Sequence, residues 1–343
     1  MDLALYCPDC GYYEKENDRL GAKGDFYTSV SVGPLFGEML GFQFAEWLAK
    51  LPSGNRRLVE AGAHDGRLAS DVLNWLAKWR PELFEDLEYV INEPSERQKT
   101  RQSEKLAGFG KKIRWVSGDL KAECGEIAGV IFSNELLDAL PVHRLGWDAQ
   151  RREWFEWGVT VVGDRFDWAR MERSEVLGAT SSTVQRLARL PAELLDVLPD
   201  GFTTEVGPAA EEWWRKAATP LRRGWLVTLD YGQSQEFLVP HRPRGTLRAY
   251  HRHEVSENLL ANVGEQDLTA HVDFDSIRLA GESVGLRTEL FRTQASFFAE
   301  VMKRFWPEAE SQGVWTSDRA REFQTLIHPK HLGRAFHVLV QAR

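Results

Sequence analysis

The stretch Arg57–Leu76, RLVEAGAHDGRLASDVLNWL, constrains the fold of this 343-residue chain more than any other. Leu58 and Val59 end a short apolar run, Gly62 and Gly66 flank a turn, and Leu68, Val72, Leu73 and Leu76 then recur at helical spacing. That is a strand entering a helix through a glycine loop. Open α/β sheets use such loops to bring backbone close to a nucleotide at the carboxyl end of a parallel sheet.

A dinucleotide loop reads GxGxxG, its second glycine making room for a pyrophosphate. Here His64 holds that place, Glu60 and Asp65 border it with acid, and no GxxxxGK[ST] loop occurs in the chain. S-adenosylmethionine carries a sulfonium, an ammonium and an adenosine without phosphate, so an acid-bordered glycine loop suits it better than NAD or ATP. A tight strand-to-helix turn with no ligand is the plainer alternative.

A hydrophobic content of 43% supports a real core, in one large domain with insertions or in two. The net charge of -8 argues against a broad nucleic-acid surface and leaves protein or small-molecule partners. Three cysteines are too few for a disulfide framework, and Cys7-Pro8-Asp9-Cys10 has no second CxxC to complete a zinc site, so this pair reads as turn residues. No apolar run reaches the ~18 residues of a spanning helix, so no membrane insertion is expected. The N-terminal stretch resembles neither a signal peptide nor a transit peptide, which points to the cytoplasm. Nothing in the sequence gives the oligomeric state.

A second strand, Leu87 to Ile91, ends in Asn92-Glu93, where Glu93 is placed to bond ribose hydroxyls or to complement a helix N-terminus. A third, Ile113 to Val116, leads to Asp119 and Leu120, beside the adenine amine in this reading. The fourth, Gly129 to Phe132, should lie next to the glycine-loop strand and runs into SNELLDALP. Glu135 and Asp138 stand three apart there, so a helical turn would put both on one face to hold a guanidinium, or would simply begin a capped helix. Upstream, the polar and aromatic loop GDFYTS, with Asp25, precedes a helix from about Pro34. The expected cofactor-binding set is Glu60, Gly62, Ala63, His64, Gly66, Glu93, Asp119, Leu120, Asn134, Tyr27 and Thr28.

Farther on, Val142 to about Arg170 reads as β-ribbons, and Ser181 to Leu198 and Pro208 to Ala218 as helices. EQDLTAHVDFDS packs Asp267, His271 and Asp273 into one short stretch. A metal hydrolase would recruit these with His251 and His253, but no HExxH spacing occurs and no metal is expected.

LALYCPDCGYY, GDFYTS with PLFGEMLG, LVEAGAHDGRL, SNELLDALPV, TEVGP, LDYGQ, GTLRAY and DLTAHVDF occur in an order that resembles the MidA family of class I S-adenosylmethionine-dependent methyltransferases. The resemblance covers Leu5 to about Phe298 and departs at the loop, where the family's GPGxG becomes Gly62-Ala63-His64-Asp65-Gly66. It implies an α/β fold: a Rossmann-like, seven-stranded methyltransferase sheet with helices on both faces, an N-terminal helical extension over 1–50 and an inserted α+β subdomain over 146–219. Residues 51–145 and 220–343 would form the core. Its mitochondrial members look like protein arginine methyltransferases of respiratory complex I assembly, which implies S-adenosylmethionine as cofactor and a protein substrate. A guanidinium keeps its proton until pH 12 or above, so carboxylates must orient it and accept that proton. The candidates are Glu135, Asp138, Glu205, Asp267 and Asp273, with His271 beside them. A non-catalytic assembly factor keeping the fold and a small-molecule methyltransferase are the alternatives.

Overall fold

The apolar run at the glycine loop forms β1 (Arg56–Ala61) in the computed structural model of the protein, which describes residues 1–15, 28–174, 176–178, 182–233, 242–251, 254–256 and 258–343. β2 (Leu87–Asn92), β3 (Ile113–Val116) and β4 (Ile127–Asn134) follow. β2 and β4 flank β1 in parallel, Val59 lying opposite Val90 and Ile131, and residues 58–61 are buried on both faces, as a strand paired on both sides in a covered sheet requires. The expected neighbour of the glycine-loop strand is therefore in place.

β5 (His143–Asp148), β6 (Glu153–Val162), β7 (Arg165–Arg170) and β8 (Thr203–Val206) form an antiparallel sheet ordered β7-β6-β5-β8. β9 (Leu221–Gln233) returns beside β4, and β10 (Arg248–His251), β11 (Glu254–Ser256) and β12 (Asp267–Thr269) make a third, smaller sheet. β13 (Val272–Asp273) adds two residues at the end of β9, and β14 (Arg287–Thr293) and β15 (Phe336–Ala342) complete the main sheet. Its path is β14-β15-β9-β4-β1-β2-β3, with β15 antiparallel to both neighbours. This is the Rossmann-like order implied by the resemblance, and helices supply its crossovers. Arg67–Trp79, between β1 and β2, buries Leu68, Val72, Leu73 and Leu76, the stripe read from the sequence.

Two compact units emerge, and their boundaries differ from those expected. One comprises Leu20–Leu136, Arg215–Tyr231 and Gly281–Arg343; the other comprises Met1–Arg19, Leu137–Trp214 and Gly232–Ala280. The N-terminal extension is thus divided. Helix Leu35–Leu48, apolar on nearly every side, belongs to the main core, where Phe44 meets Phe132 and Trp47 stacks on Trp225. Leu5 and Tyr12 instead pack with Leu247, Ala249 and Leu268. The helix expected over Ser181 to Leu198 is two short ones, Ser182–Leu187 and Ala192–Val197, because Pro191 lacks the N–H to continue and restricts the residue before it. Among the described residues no helix is long and apolar enough to cross a membrane.

Candidate active site

Gly62 and Gly66 take φ of +72° and +78°, and His64 sits at +46°, in the same left-handed region, where the family's middle glycine would be. Histidine enters that region more readily than most residues, at some cost in strain. Its side chain is 41% exposed, with Nδ1 3.8 Å from an Asp65 oxygen. The Gly66 amide donates to the Ala63 carbonyl at 2.8 Å and closes the turn.

The acidic border holds less charge than its sequence implies. Glu60 is 2% exposed and accepts the Tyr89 hydroxyl at 2.6 Å. Burial raises its carboxyl to about 8, with Asp65 and Glu93 adding and the Tyr89 hydrogen bond opposing, so it is largely protonated at neutral pH. Asp65 is tied to Lys105 Nζ at 2.6 Å and accepts the Arg67 amide at 2.9 Å. Burial would raise it, but His64, Lys105 and that amide hold it below the usual carboxylate range. One acid is neutralised by protonation and the other by pairing.

At the tip of β2, Glu93 accepts the Ser95 amide at 3.0 Å and Gln102 Nε2 at 2.9 Å. Gln102, fully buried, also donates to the His64 carbonyl at 2.9 Å and accepts Trp115 Nε1 at 3.0 Å. One amide side chain thereby ties the glycine loop to the tips of β2 and β3. Nothing in the sequence had marked it. Asp119 caps Leu120–Cys124 through the Ala122 amide at 2.8 Å.

At the tip of β4, Asn134 Oδ1 is buried without a hydrogen-bond partner among the described residues, an acceptor suited to an ammonium. Glu135 turns the chain at φ +52°, and its Oε1 accepts both Asn134 Nδ2 and the Ser29 amide at 3.1 Å. Thr28 caps Ser29–Val32, accepting the Ser31 amide at 3.1 Å. Thr28, Asn134 and Glu135 are thus brought together through Ser29. Tyr27 and Asp25 lie outside the described residues. Acceptors at the strand tips, buried Ala63 and Leu120, and a 62–66 loop without lysine or arginine fit a phosphate-free cation such as S-adenosylmethionine. Glu135 and Asp138 share no helical face: the positive φ at Glu135 and a turn over 137–139 separate them, and they fall in different units.

Asp138 belongs to a second cluster. Tyr6 and Tyr13 stack at 5.6 Å and 25°, the Tyr6 hydroxyl donates to the Ala139 carbonyl at 2.9 Å, and the Tyr13 hydroxyl donates to Asp267 Oδ1 at 2.8 Å. The Ala270 amide donates to the Asp138 carbonyl at 2.9 Å, and Tyr250 stands opposite Asp267 in the β10–β12 ladder. Asp267 is fully buried and Asp138 nearly so. Burial pushes the Tyr13 phenol well above its ordinary range, with Asp267, Tyr6 and Asp138 adding. Tyr250 rises for the same reasons, burial first, then Asp138 and Asp267, opposed by Arg248 and Arg242. Both phenols therefore feel both carboxylates. Sequence reasoning missed these tyrosines, although LALYCPDCGYY and GTLRAY carried them.

Glu205 and Asp273 hold turns instead. Glu205 Oε2 accepts the Thr246 amide at 2.6 Å and its hydroxyl at 3.0 Å, with Arg144 Nε 3.6 Å from Oε1. Asp273 accepts Arg186 Nη2 on both oxygens at 2.9 Å, Thr183 at 3.1 Å and Ser276 at 2.7 Å. These bonds tie Glu205 to the 245–246 turn and Asp273 to helix Ser182–Leu187. The His271 amide donates to the Thr246 hydroxyl at 3.1 Å, tying it to the Glu205 turn, and His253 lies outside the described residues. Among the described residues no group of three or more His, Cys, Asp or Glu is arranged to hold a metal. Cys7 and Cys10 are free thiols in a turn, the Cys10 and Gly11 amides donating to the Cys7 carbonyl.

Residues 39–292 match the family described as "Putative S-adenosyl-L-methionine-dependent methyltransferase". Mouse protein arginine methyltransferase NDUFAF7, mitochondrial, is 28% identical over 98% of this chain and 78% of its own length. The zebrafish (Danio rerio) protein of the same name is 29% identical over 98% and 80%. A Burkholderia thailandensis protein solved with S-adenosyl-homocysteine bound is 30% identical, covers 100% of this chain and 86% of its own, and superposes with a TM-score of 0.83. The expected cytoplasmic location does not stand, because these animal relatives are mitochondrial by name.

Proposed function

The chain belongs to this family of S-adenosyl-L-methionine-dependent methyltransferases, and on that premise we propose that it methylates an arginine guanidinium of a protein. The observation that carries the reading is the pair of buried carboxylates, Asp138 and Asp267, set among Tyr6, Tyr13 and Tyr250. A guanidinium is a planar cation that pairs with carboxylates through a fork of N–H groups and stacks on aromatic faces, so this cluster matches it in charge and in shape. The arginine methyltransferase names of the relatives support the same acceptor.

The cofactor supplies an electrophilic methyl group on a sulfonium. Asp138 and Asp267 would orient the guanidinium through its N–H groups and take up the proton that its methylated nitrogen loses as the sulfonium's S–C bond breaks and S-adenosylhomocysteine leaves. Tyr13 fixes the Asp267 carboxylate through its 2.8 Å hydrogen bond, and Glu135 with Asn134 fixes the tip of β4 in the cofactor unit.

The test is incubation of the purified protein with methyl-labelled S-adenosylmethionine and a cell lysate, followed by hydrolysis of the labelled proteins. Label in methylarginine is expected. Label confined to small molecules or to other amino acids overturns the reading.

A further inference from the structure

Gln233, Arg242, Pro243, Arg244, Gly245 and Arg248 line a cavity of about 520 Å³ that none of the roles above uses. Residues 242–251, RPRGTLRAYH, hold three arginines and no acid, within a chain whose net charge is -8.

The turn that presents these cations is fixed on every side. The Gly245 amide donates to the Arg242 carbonyl at 3.0 Å, the Thr203 amide to the Pro243 carbonyl at 2.9 Å, and Arg144 Nη2 to the Arg244 carbonyl at 3.0 Å. Arg248 Nη1 donates to the Leu247 carbonyl at 2.7 Å. Gly245, at φ +78°, backs onto Glu205 so closely that a Cβ there would stand 2.2 Å from its Oε1. Three arginines among six lining residues give the cavity a cationic character. Among the described residues, Glu205 bonds to Thr246, and Asp273 to Arg186, Thr183 and Ser276.

Arg248 and Tyr250 are two residues apart on β10, hence on one face of the strand and roughly 7 Å apart along it. Tyr250 stands opposite Asp267. The cationic cavity therefore lies beside the tyrosine and carboxylate cluster in the same unit. We propose that the cavity is a subsite for a carboxylate side chain of the acceptor protein, an aspartate or glutamate about two residues from the methylated arginine. The inference rests on the arginine reading above and adds the identity of the neighbouring residue. An acceptor with adjacent positive and negative side chains complements an acidic cluster beside a basic one, and reversing the two would place like charges together at both positions.

The experiment uses the full chain, methyl-labelled S-adenosylmethionine and short peptides with one central arginine, carrying Glu, Ala or Lys two positions away. The wild type is expected to prefer the Glu peptide over the Lys peptide by roughly tenfold or more in kcat/KM. Arg242→Glu should reverse that order while leaving S-adenosylmethionine affinity unchanged by calorimetry. If Arg242→Glu fails to fold, Arg242→Gln reads the same point through loss of the preference. Equal rates for the three peptides overturn the subsite and leave the arginine reading intact. No methylation of any peptide overturns the arginine reading and the subsite with it. Stronger inhibition by a short oligonucleotide than by a glutamate-rich peptide overturns the proposal by assigning the cations to phosphates.

Discussion

Around the glycine loop, the buried carboxylates Glu60 and Glu93 direct their oxygens to Tyr89, Ser95 and Gln102, whereas in the other unit Asp138 and Asp267 sit among phenols. The first pair stiffens a scaffold, with one carboxyl largely protonated and the other hydrogen-bonded to its own helix entry. The second pair is set where a cation can be received. A buried carboxylate is costly unless matched, and two of them gathered among three tyrosines, as Asp138 and Asp267 are, favour a positive ligand. Glu205 and Asp273, matched by Thr246 and Arg186, fall on the bracing side although they belong to the second unit.

The largest expected effect would come from erasing this contrast on the acceptor side. Asp267→Asn keeps shape and removes charge, and turnover should fall by roughly 10²–10⁴ with S-adenosylmethionine affinity retained. Cofactor binding lost in step with turnover would show that both carboxylate pairs serve the donor. Asp273→Asn offers the opposite control: melting temperature should drop, with kcat/KM in the folded fraction little changed.

On the bracing side, Glu60 predicts a pH dependence. Its folded value of about 8 lies above the ordinary 4.5, so the folded state holds an extra proton between these limits. Stability should then fall as pH rises from about 4.5 to about 8. Glu60→Gln keeps an acceptor for Tyr89 and should flatten that decline, by on the order of a few kcal/mol at pH 9. Denaturant melts of the two proteins across pH decide it; parallel curves would mean that Glu60 is not the titrating group.

Gln102→Leu is expected to cost about 1–3 kcal/mol, because His64, Glu93 and Trp115 lose their shared partner in a buried setting. Cofactor affinity should weaken with it, and unchanged calorimetry would detach that brace from the donor site. Tyr13→Phe removes one hydrogen bond to Asp267 and should cost about 0.5–1.5 kcal/mol, read as up to roughly tenfold in kcat/KM. The smallest effect belongs to His64→Gly. Relief of the strain at φ +46° offsets the backbone entropy that glycine brings, so stability should move by less than about 1 kcal/mol.

The main sheet was legible because its signals are local. The alternation of apolar runs with helical stripes announces parallel strands and crossovers, and the glycine loop with its following helix lies within Arg57–Leu76. Strand tips follow from strand ends, so Glu93, Asp119 and Asn134 could be placed from order alone. Protonation state could not, since Glu60 and Asp65 read alike as acids until burial and Lys105 separate them.

The acceptor cluster had no local signal. Tyr13 and Asp267 are 254 positions apart, and Tyr6 and Ala139 are separated by 133, so only the packed chain makes them partners. Glu135 and Asp138 show the converse: three residues apart in sequence, they are parted by one left-handed backbone angle that no periodicity encodes. The sequence by itself determined the α/β frame, because periodicity acts over a few residues, and it pointed to the cofactor class through a loop unsuited to phosphate and through the family resemblance. Tertiary structure alone decided that Asp138 and Asp267 gather among tyrosines while Glu60 and Glu93 bond to Tyr89, Ser95 and Gln102, because that depends on partners supplied from distant segments and on the burial they share.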